Sequence, residues 1–417
     1  MRLAVFTNQF PGRSTFFARD IRALVKAGCE VDVFPFYPPD AGSSDGGETG
    51  DDCIISPDRV HHISLRDALR AHLRLGGIGR LPSFLADLVR VESSAARYGV
   101  GATLKTAYVA AKAWAWARRF GPAYDHILAY WGSYAASCAY LFHRLTDSRV
   151  PFSTFARARA DLYEYPVGLV RNLLYADNIF LVCEFNRGYI RDRYRTIFPR
   201  VASKIHIHPS GLDLQDLHFR PSPRPPANLL AVGRFERLKG FHCLIEAVAE
   251  LARRGCKANL VLIGGGIEEA RLRKLAQALG IAPQVTFRGW IGSGAVFQAM
   301  RESTILVHPA VDLDTMPNVV KEALAVGTPV IASDMAGIPE MLNGGRCGVL
   351  VAPGDVTALA AAIEGLLGDP ARRQDYAIAG REHVERHYDL WSNGRRLADV
   401  LRSTPRRQSP SQHGRGD

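Results

Sequence analysis

The chain of 417 residues is long enough for two domains, and its 47% hydrophobic composition allows sizeable cores. Its seven cysteines are scattered and form no C-x2-C pair, which argues against a disulfide framework or a structural zinc site and fits a reducing compartment. The formal net charge of +11 predicts an anionic partner: a phosphorylated substrate, a membrane surface or nucleic acid.

Strands and helices alternate from the first residues onward. LAVFT, the amphipathic FFARDIRALVKAG and CEVDVF read as strand, helix and strand, the opening of a parallel α/β sheet. The N-terminal sequence lacks the regions of a signal peptide, and no apolar stretch reaches membrane-spanning length, so we expect a cytoplasmic location. Further strands in HILAYWG, VPFSTFA, NIFLVCE and KIHIHPSGLDL complete a predicted first domain over residues 1–210.

A basic helical stretch lies within this first domain. Residues 66–119 carry ten Lys or Arg against three acidic residues, mixed with Leu, Ile, Phe and Trp at helical spacing. This pattern is typical of helices at an anionic membrane surface and equally of solvated helix faces packed on a sheet, and both interpretations stay open. No recognised nucleic-acid-binding motif accompanies the charge, so we do not expect nucleic acid as a partner.

The second half of the chain repeats the alternation after a proline-rich stretch. Residues 211–226 read as a linker, and NLLAVG, ANLVLIGGG, QVTFRGW, STILVHPA, TPVIAS and CGVLVA as strands of a second domain over residues 227–388. Residues 389–403 are predicted to form a helix that returns to the first domain. The tail, residues 404–417, has little to bury and is predicted to be disordered.

Two carboxylates flank the start of a predicted helix in this second domain. Pro317 suits the first turn of that helix, Asp314 precedes it, and Glu322 lies eight positions later. The two acids would accept hydrogen bonds from separate hydroxyls of one extended ligand, while backbone N–H groups between 316 and 319 meet a phosphate. An ordinary capped helix with solvated acids explains the same carboxylates.

A basic loop follows the first strand of the second domain, in AVGRFERLKGF. A glycine at the strand end lets the backbone approach a ligand, and Arg234 and Lys239 supply two cations at the carboxyl edge of the sheet. A departing diphosphate needs such charge, because it leaves more negative than it was when esterified. A basic surface turn is the alternative interpretation.

Taken together, these segments resemble the retaining family-4 glycosyltransferases of the GT-B fold. The signature of that family is a G-R-x4-K loop, an E-x7-E helix and E-A-x-A-x-G-x-P-V; this chain has Gly233, Arg234 and Lys239, then Asp314 and Glu322, then EALAVGTPV. FPGRSTFFARDIRALVKAGCEV is similar to the start of members that build exopolysaccharide and lipopolysaccharide. The resemblance implies two Rossmann-like parallel-sheet domains facing a cleft, with the C-terminal helix crossing back to the first domain.

The resemblance also implies a reaction. A hexose-type sugar would pass from a UDP- or GDP-sugar to a saccharide or lipid-linked saccharide held by the first domain, with retention of configuration and no cofactor. Arg234 and Lys239 would bind the donor diphosphate, Glu322 the ribose hydroxyls and Asp314 the transferred sugar. Further donor contacts are implied at Gly12, Gly233, Gly289, Trp290, Met316, Pro317, Asn318 and Val319.

The sequence departs from the family pattern in the first domain. Ala158 stands where relatives commonly carry a histidine, and Leu128 and Tyr130 stand where they often show H-A-H, so we assign no catalytic histidine there. Candidates for acceptor or phosphate contacts are Arg157, Arg159 and Asp161. The missing histidine keeps a second class open, a catalytically silent nucleotide-sugar-binding or scaffold component of a polysaccharide assembly complex.

A metal site and two other enzyme classes have weaker support in the sequence. Residues 312–314 spell D-L-D, which matches the metal-binding D-x-D of a different glycosyltransferase fold, but the helix already accounts for Asp314 and we assign no metal site. A nucleotide-sugar epimerase or a phosphorylase on the same fold is disfavoured by the family signature.

Overall fold

The computed structural model describes residues 1–10, 15–39, 55–68, 81–157, 160–215, 217–221 and 227–408. The chain divides into two compact units. The first contains Met1–Val182, Asn186–Ser210 and Trp391–Asp417, and the second contains Cys183–Phe185 and Gly211–Leu390.

The first unit is built on a six-stranded parallel sheet. Its strands run in the order β2-β1-β3-β4-β5-β6; their bounds are β1 Arg2–Thr7, β2 Glu30–Pro35, β3 His126–Ala129, β4 Phe152–Phe155, β5 Asn178–Leu181 and β6 Ile205–Ile207. The helices described in this half of the chain are α1 Thr15–Lys26, α2 Leu81–Ala96, α3 Val100–Phe120, α4 Tyr134–Leu145, α5 Leu169–Tyr175, α6 Glu184–Arg193 and α7 Phe198–Val201. A single π-helical turn covers Ala160–Glu164.

Aromatic side chains fill one face of this sheet. Phe6 stacks on Phe34 with ring centroids 4.9 Å apart and contacts Phe142 at 5.0 Å, while Trp116 of α3 packs edge-on against both Phe6 and Phe34. All four side chains are fully buried. Burial of this kind contributes about 1.5–3 kcal/mol per large apolar side chain, which is why these short apolar runs form central strands.

The second unit repeats the architecture. Its parallel strands run in the order β12-β11-β10-β7-β8-β9; their bounds are β7 Asn228–Val232, β8 Asn259–Ile263, β9 Val285–Phe287, β10 Ile305–His308, β11 Val330–Ser333 and β12 Val349–Val351. The helices are α8 Phe241–Arg253, α9 Glu269–Ala278, α10 Ser293–Glu302, α11 Asn318–Ala325, α12 Ile338–Met341, α13 Val356–Gly368 and α14 Pro370–His387. The predicted α/β class with two parallel sheets is therefore confirmed.

The last helix, α15 Leu390–Ser403, groups with the first unit from Trp391 onward. Leu397 and Leu401 join the core around β1, and a side chain at Gly394 would collide with Ala23 of α1, its Cβ only 2.4 Å from that methyl group. The contact between the two helices therefore requires glycine at this position.

The predicted disorder of the tail is wrong for its first residues. Thr404 accepts a hydrogen bond from Asn178 at 2.8 Å, and Arg407 pairs with Asp177 at 2.8 Å. A charge pair and a buried amide thus hold a segment whose composition offers few apolar contacts. Residues 409–417 lie outside the described residues.

Lys112 belongs to the basic stretch identified in the sequence, but it does not contribute to a basic surface. Its side chain is buried on α3 and donates to the carbonyl oxygen of Phe36 at 2.6 Å, and burial lowers the pKa of its ammonium to about 8. Lys112 is therefore part of the core and not of a basic surface.

Among the helices of the described ranges, none has the length and apolarity needed to cross a membrane.

Candidate functional site

The carboxyl edge of the second sheet gathers the loops that carry the predicted donor residues. Strands β11, β10, β7 and β8 are neighbours and parallel, so the loops that follow them leave from the same edge. In sheets of this type, ligands bind outside the carboxyl ends of the strands. The edge of β10 and β7 is also where the chain order of the strands reverses.

The basic loop after β7 is fastened to the loop after β10. The Leu238 carbonyl oxygen accepts a hydrogen bond from the Val311 N–H at 2.9 Å. Gly240, with a φ of +67°, lies so close to Pro309 that a Cβ would sit 1.8 Å from its carbonyl oxygen. Only glycine allows this approach, and the approach fixes the position from which Lys239 reaches the next loop.

Lys239 and His308 both bind one oxygen of Asp314. The Lys239 ammonium donates to Asp314 Oδ2 at 2.5 Å, and His308 Nε2 lies 2.9 Å from the same oxygen. The Lys239 and Asp314 side chains are each only 16% exposed, and His308 is buried. The predicted convergence of a loop cation with the first carboxylate is therefore present in the structure.

The charge state of Asp314 follows from these contacts. Burial alone would raise the pKa of its carboxyl group, but the hydrogen bond and charge of His308 and of Lys239 outweigh burial and hold the pKa well below its usual range. Asp314 is thus a carboxylate at neutral pH. Within the described ranges, its second oxygen, Oδ1, has no protein donor.

Arg234 does not join this cluster. Its guanidinium pairs with Glu236 at 2.6 Å on the same loop, and its side chain is 65% exposed. An ion pair at such an exposed site is worth about 0–1 kcal/mol, so an anionic ligand competes with Glu236 at little cost. The structure therefore places the two predicted cations on one loop and brings only Lys239 to Asp314.

The helix that carries the second carboxylate begins beside this cluster. Pro317, with a φ of −65°, occupies the N-cap position of α11 and provides no side-chain hydrogen bond to its first turn. Because proline has no N–H, the backbone donors of this stretch belong to Met316, Asn318 and Val319. Glu322 is half-buried on the second turn of α11.

The loop after β11 supports the same turn. The Gly337 N–H donates to the Thr315 carbonyl oxygen at 3.0 Å, and a Cβ at Gly337 would lie 2.5 Å from that oxygen. Thr315 follows Asp314 directly, so this contact helps to hold the carboxylate in its position. It also explains why residue 337 is a glycine.

A glycine-lined edge joins the predicted donor residues Gly233 and Gly289. Between them lies Gly264, whose N–H donates to the Gly289 carbonyl oxygen at 2.9 Å and whose Cβ would sit 1.9 Å from the Gly233 carbonyl oxygen. Trp290 is 68% exposed and has its indole nitrogen against Gly265. The edge therefore offers bare backbone beside an exposed aromatic ring.

Arg157 and Asp161 of the first unit, predicted to contact the acceptor, are buried and already have protein partners. Arg157 is buried and donates to the Tyr130 hydroxyl at 2.7 Å and to Asp20 at 3.2 Å, so a structural ion pair already engages its terminal nitrogens. Asp161 is buried and accepts hydrogen bonds from the Gly132 N–H at 3.0 Å and the Ser133 hydroxyl at 2.8 Å. Burial outweighs these bonds and raises the pKa of Asp161 to about 6.

Three predicted positions lie outside the described residues. They concern Gly12, Arg159 and the missing histidine position at Ala158. Within the described ranges, no group of three or more His, Cys, Asp or Glu side chains is arranged to hold a metal ion.

Two residues of the site were missed from the sequence. His308 is the last residue of β10, where a histidine reads as an ordinary strand end, and Gly264 lies in a glycine-rich turn that lacks a dinucleotide-binding spacing. The signal for His308 was available: a histidine at the carboxyl end of a parallel strand, six positions before a predicted site carboxylate.

Comparisons with known proteins match the half of the chain that carries these loops. Residues 216–383 match the family model described as glycosyl transferases group 1. The chain is 31% identical over 239 residues to the GDP-mannose-dependent alpha-(1-6)-phosphatidylinositol monomannoside mannosyltransferase of Mycobacterium tuberculosis, a match that covers 53% of this chain and 61% of that protein. It is 28% identical over 208 residues to the colanic acid biosynthesis glycosyltransferase WcaL of Salmonella typhimurium, covering 48% of this chain and 51% of WcaL.

The matched region thus spans less than two thirds of either relative. Among solved structures, sucrose-phosphate synthase from Thermosynechococcus elongatus superposes with a TM-score of 0.69 at 20% identity, over 96% of this chain and 98% of that one. At this identity the likeness establishes the fold, which is GT-B.

Proposed function

We propose that the chain is a retaining glycosyltransferase, since residues 216–383 match the family model of the group 1 glycosyl transferases. It moves a hexose-type sugar from a UDP- or GDP-sugar to a saccharide or lipid-linked saccharide. The observation that carries the proposal is the cluster of Lys239, His308 and Asp314 at the carboxyl edge of the second sheet, beside the uncapped start of α11.

The cations of this edge suit a diphosphate leaving group. The packing of Gly240 on Pro309 fixes the backbone of the loop, and from this position the Lys239 side chain turns from Asp314 to the departing diphosphate. Arg234, whose own side chain is exposed, exchanges its partner Glu236 for a phosphate oxygen at little cost. The first-turn N–H groups of α11, eight residues long, add a positive end to the same edge.

The carboxylates suit the hydroxyls on the two sides of that diphosphate. Asp314 is ionised and has Oδ1 open, so it accepts from hydroxyls of the transferred sugar. Glu322, further along α11, accepts from the ribose. The bare backbone at Gly233 and Gly289 and the exposed ring of Trp290 receive the rest of the nucleotide.

In the reaction that we propose, the bond between the anomeric carbon and the diphosphate oxygen breaks while the acceptor oxygen attacks from the same face. The acceptor hydroxyl gives its proton to the departing diphosphate. Lys239 and Arg234 neutralise that group, and Asp314 holds the sugar. No metal or organic cofactor is part of this proposal.

An apolar surface of the first unit favours a lipid-linked acceptor. Val89 of α2 is 66% exposed, and Val100 and Leu104 at the start of α3 are 76% and 67% exposed. The neighbouring Arg97 adds exposed positive charge. Exposed apolar side chains beside cations suit the surface of an anionic membrane, and we propose peripheral attachment there, on the cytoplasmic side.

The test is a panel of UDP, GDP and ADP and their sugars, measured by thermal shift and by release of the nucleoside diphosphate from the purified protein. A transferase is stabilised by one nucleotide family and releases diphosphate slowly even to water. Stabilisation without any turnover, also with saccharide and lipid-linked acceptors present, would favour the silent binding component and reject the proposal.

A further inference from the structure

His308 lies at the point where β10 ends and the loop to α11 begins. Its side chain is 4% exposed, and its Nε2 is 2.9 Å from Asp314 Oδ2. Because an ionised carboxylate can only accept hydrogen bonds, Nε2 carries the hydrogen of this contact. A strand end within a fully buried strand is a rigid support, so the donor position is fixed by the sheet.

Asp314 has two donors on one oxygen and none from the described residues on the other. Lys239 and His308 both bind Oδ2, which leaves Oδ1 without a donor from the described residues. The two donors differ in what holds them. Lys239 is a flexible side chain on a loop, whereas His308 is enclosed at the end of a strand.

We infer that His308 is a positioning residue: it holds Asp314 in the orientation that presents Oδ1 to the transferred sugar, and it keeps that orientation when Lys239 turns to the diphosphate. This inference rests on the proposed function. The donor diphosphate and Asp314 compete for one ammonium group, and Lys239 cannot remain fully with the carboxylate once two phosphates arrive. His308 is then the protein donor that remains on Oδ2.

Loss of the His308 hydrogen bond should affect sugar transfer and not nucleotide binding. A donor that orients a sugar-binding carboxylate acts on the bound sugar, so its loss lowers kcat and leaves the affinity for a free nucleoside diphosphate nearly unchanged. Misplacement of a reacting group by about 1 Å costs up to about 100-fold in rate. We therefore expect a 10- to 100-fold loss of kcat without the His308 hydrogen bond.

Two substitutions test this hydrogen bond. In His308→Gln the amide nitrogen reaches about as far as Nε2 and still donates, whereas in His308→Asn it is too short to reach Asp314. The matched control is His383→Leu, which removes another histidine of the second unit whose Nε2 contacts a carbonyl oxygen, that of Glu340, at 3.0 Å. Each protein is assayed for donor turnover with acceptor and for binding of UDP and GDP by calorimetry.

We expect His308→Gln to keep kcat within about fivefold of the unsubstituted chain and His308→Asn to lose 10- to 100-fold, both with nucleotide affinity changed by less than threefold. Equal rates in the two variants, whether both normal or both low, overturn the inference, and so does a parallel loss of nucleotide affinity in His308→Asn. Failure of the proposed function is a separate outcome, because then the unsubstituted chain turns over no donor.

Discussion

Replacement of Lys239 by alanine tests the centre of the site. Lys239→Ala removes the ammonium group that lies 2.5 Å from Asp314, in a place where both side chains are 16% exposed. Loss of one preorganised donor to a developing anion costs about 100- to 1,000-fold in kcat, or about 2.7–4 kcal/mol of transition-state stabilisation. We expect a loss in this range, because the packing of Gly240 on Pro309 fixes the loop backbone that carries Lys239 before the donor arrives.

The fold is expected to survive this change. His308 still donates to Asp314, so the carboxylate keeps one partner, and loss of the ion pair costs about 1–3 kcal/mol of stability. The assay is release of nucleoside diphosphate from the donor with and without acceptor, together with a thermal melt of each protein.

Two controls isolate the position of the charge. Lys257→Ala removes an exposed lysine that precedes β8, at the opposite edge of the same sheet, and should leave kcat unchanged. Lys239→Arg keeps the charge and alters its geometry, so we expect an intermediate rate. If Lys239→Ala retained more than a tenth of the normal kcat with an intact melt, the diphosphate role would be refuted.

Three further predictions concern other parts of the chain. Glu322→Ala should weaken the affinity for the matching nucleoside diphosphate about tenfold, the loss of one charge-assisted hydrogen bond, with Glu302→Ala as the exposed control; calorimetry showing equal affinities would rule out the ribose contact. Leu104→Asp should reduce sedimentation with vesicles of anionic lipid several-fold at unchanged donor turnover in solution, whereas Leu279→Asp in the second unit should not; equal sedimentation of both variants would exclude this face. Asp161, whose folded pKa of about 6 lies above its unfolded value, contributes stability that is present below about pH 4 and lost as the pH rises through about 6. The test is urea unfolding of the unsubstituted chain and of Asp161→Asn at several pH values. Between pH 4 and pH 7 the free energy of unfolding of the unsubstituted chain should fall by on the order of 2 kcal/mol relative to that of the variant. A difference that stays constant with pH would contradict the burial of a titrating carboxyl group.

The strands were predictable because their signal is local. Most of the described strands are short, largely apolar runs, and a strand buried on both faces needs little more than that. The donor loop and the acidic helix were predictable for a related reason. Their residues follow the strands directly, and parallel strands deliver such residues to one edge.

The contacts within the site depend on tertiary packing. The motif contains Arg234 and Lys239 as equivalent cations, and only the packing of Gly240 on Pro309 sends Lys239 to Asp314 and leaves Arg234 with Glu236. His308 joins the site through packing as well. Its Nε2, at the end of β10, lies within hydrogen-bond distance of Oδ2 of Asp314, six residues later in the loop.

Arg157 shows the opposite case. From the sequence it is a basic candidate for acceptor or phosphate contact, yet Asp20, 137 positions away, makes it half of a buried ion pair. The sequence by itself determined the two parallel sheets, the order of their elements and the loops that carry polar residues, since these follow from short-range patterns of apolar side chains. Which of those polar residues meet, which are neutralised and which stay open was decided by the tertiary structure, because distances between residues far apart in the chain are set only by how the elements pack.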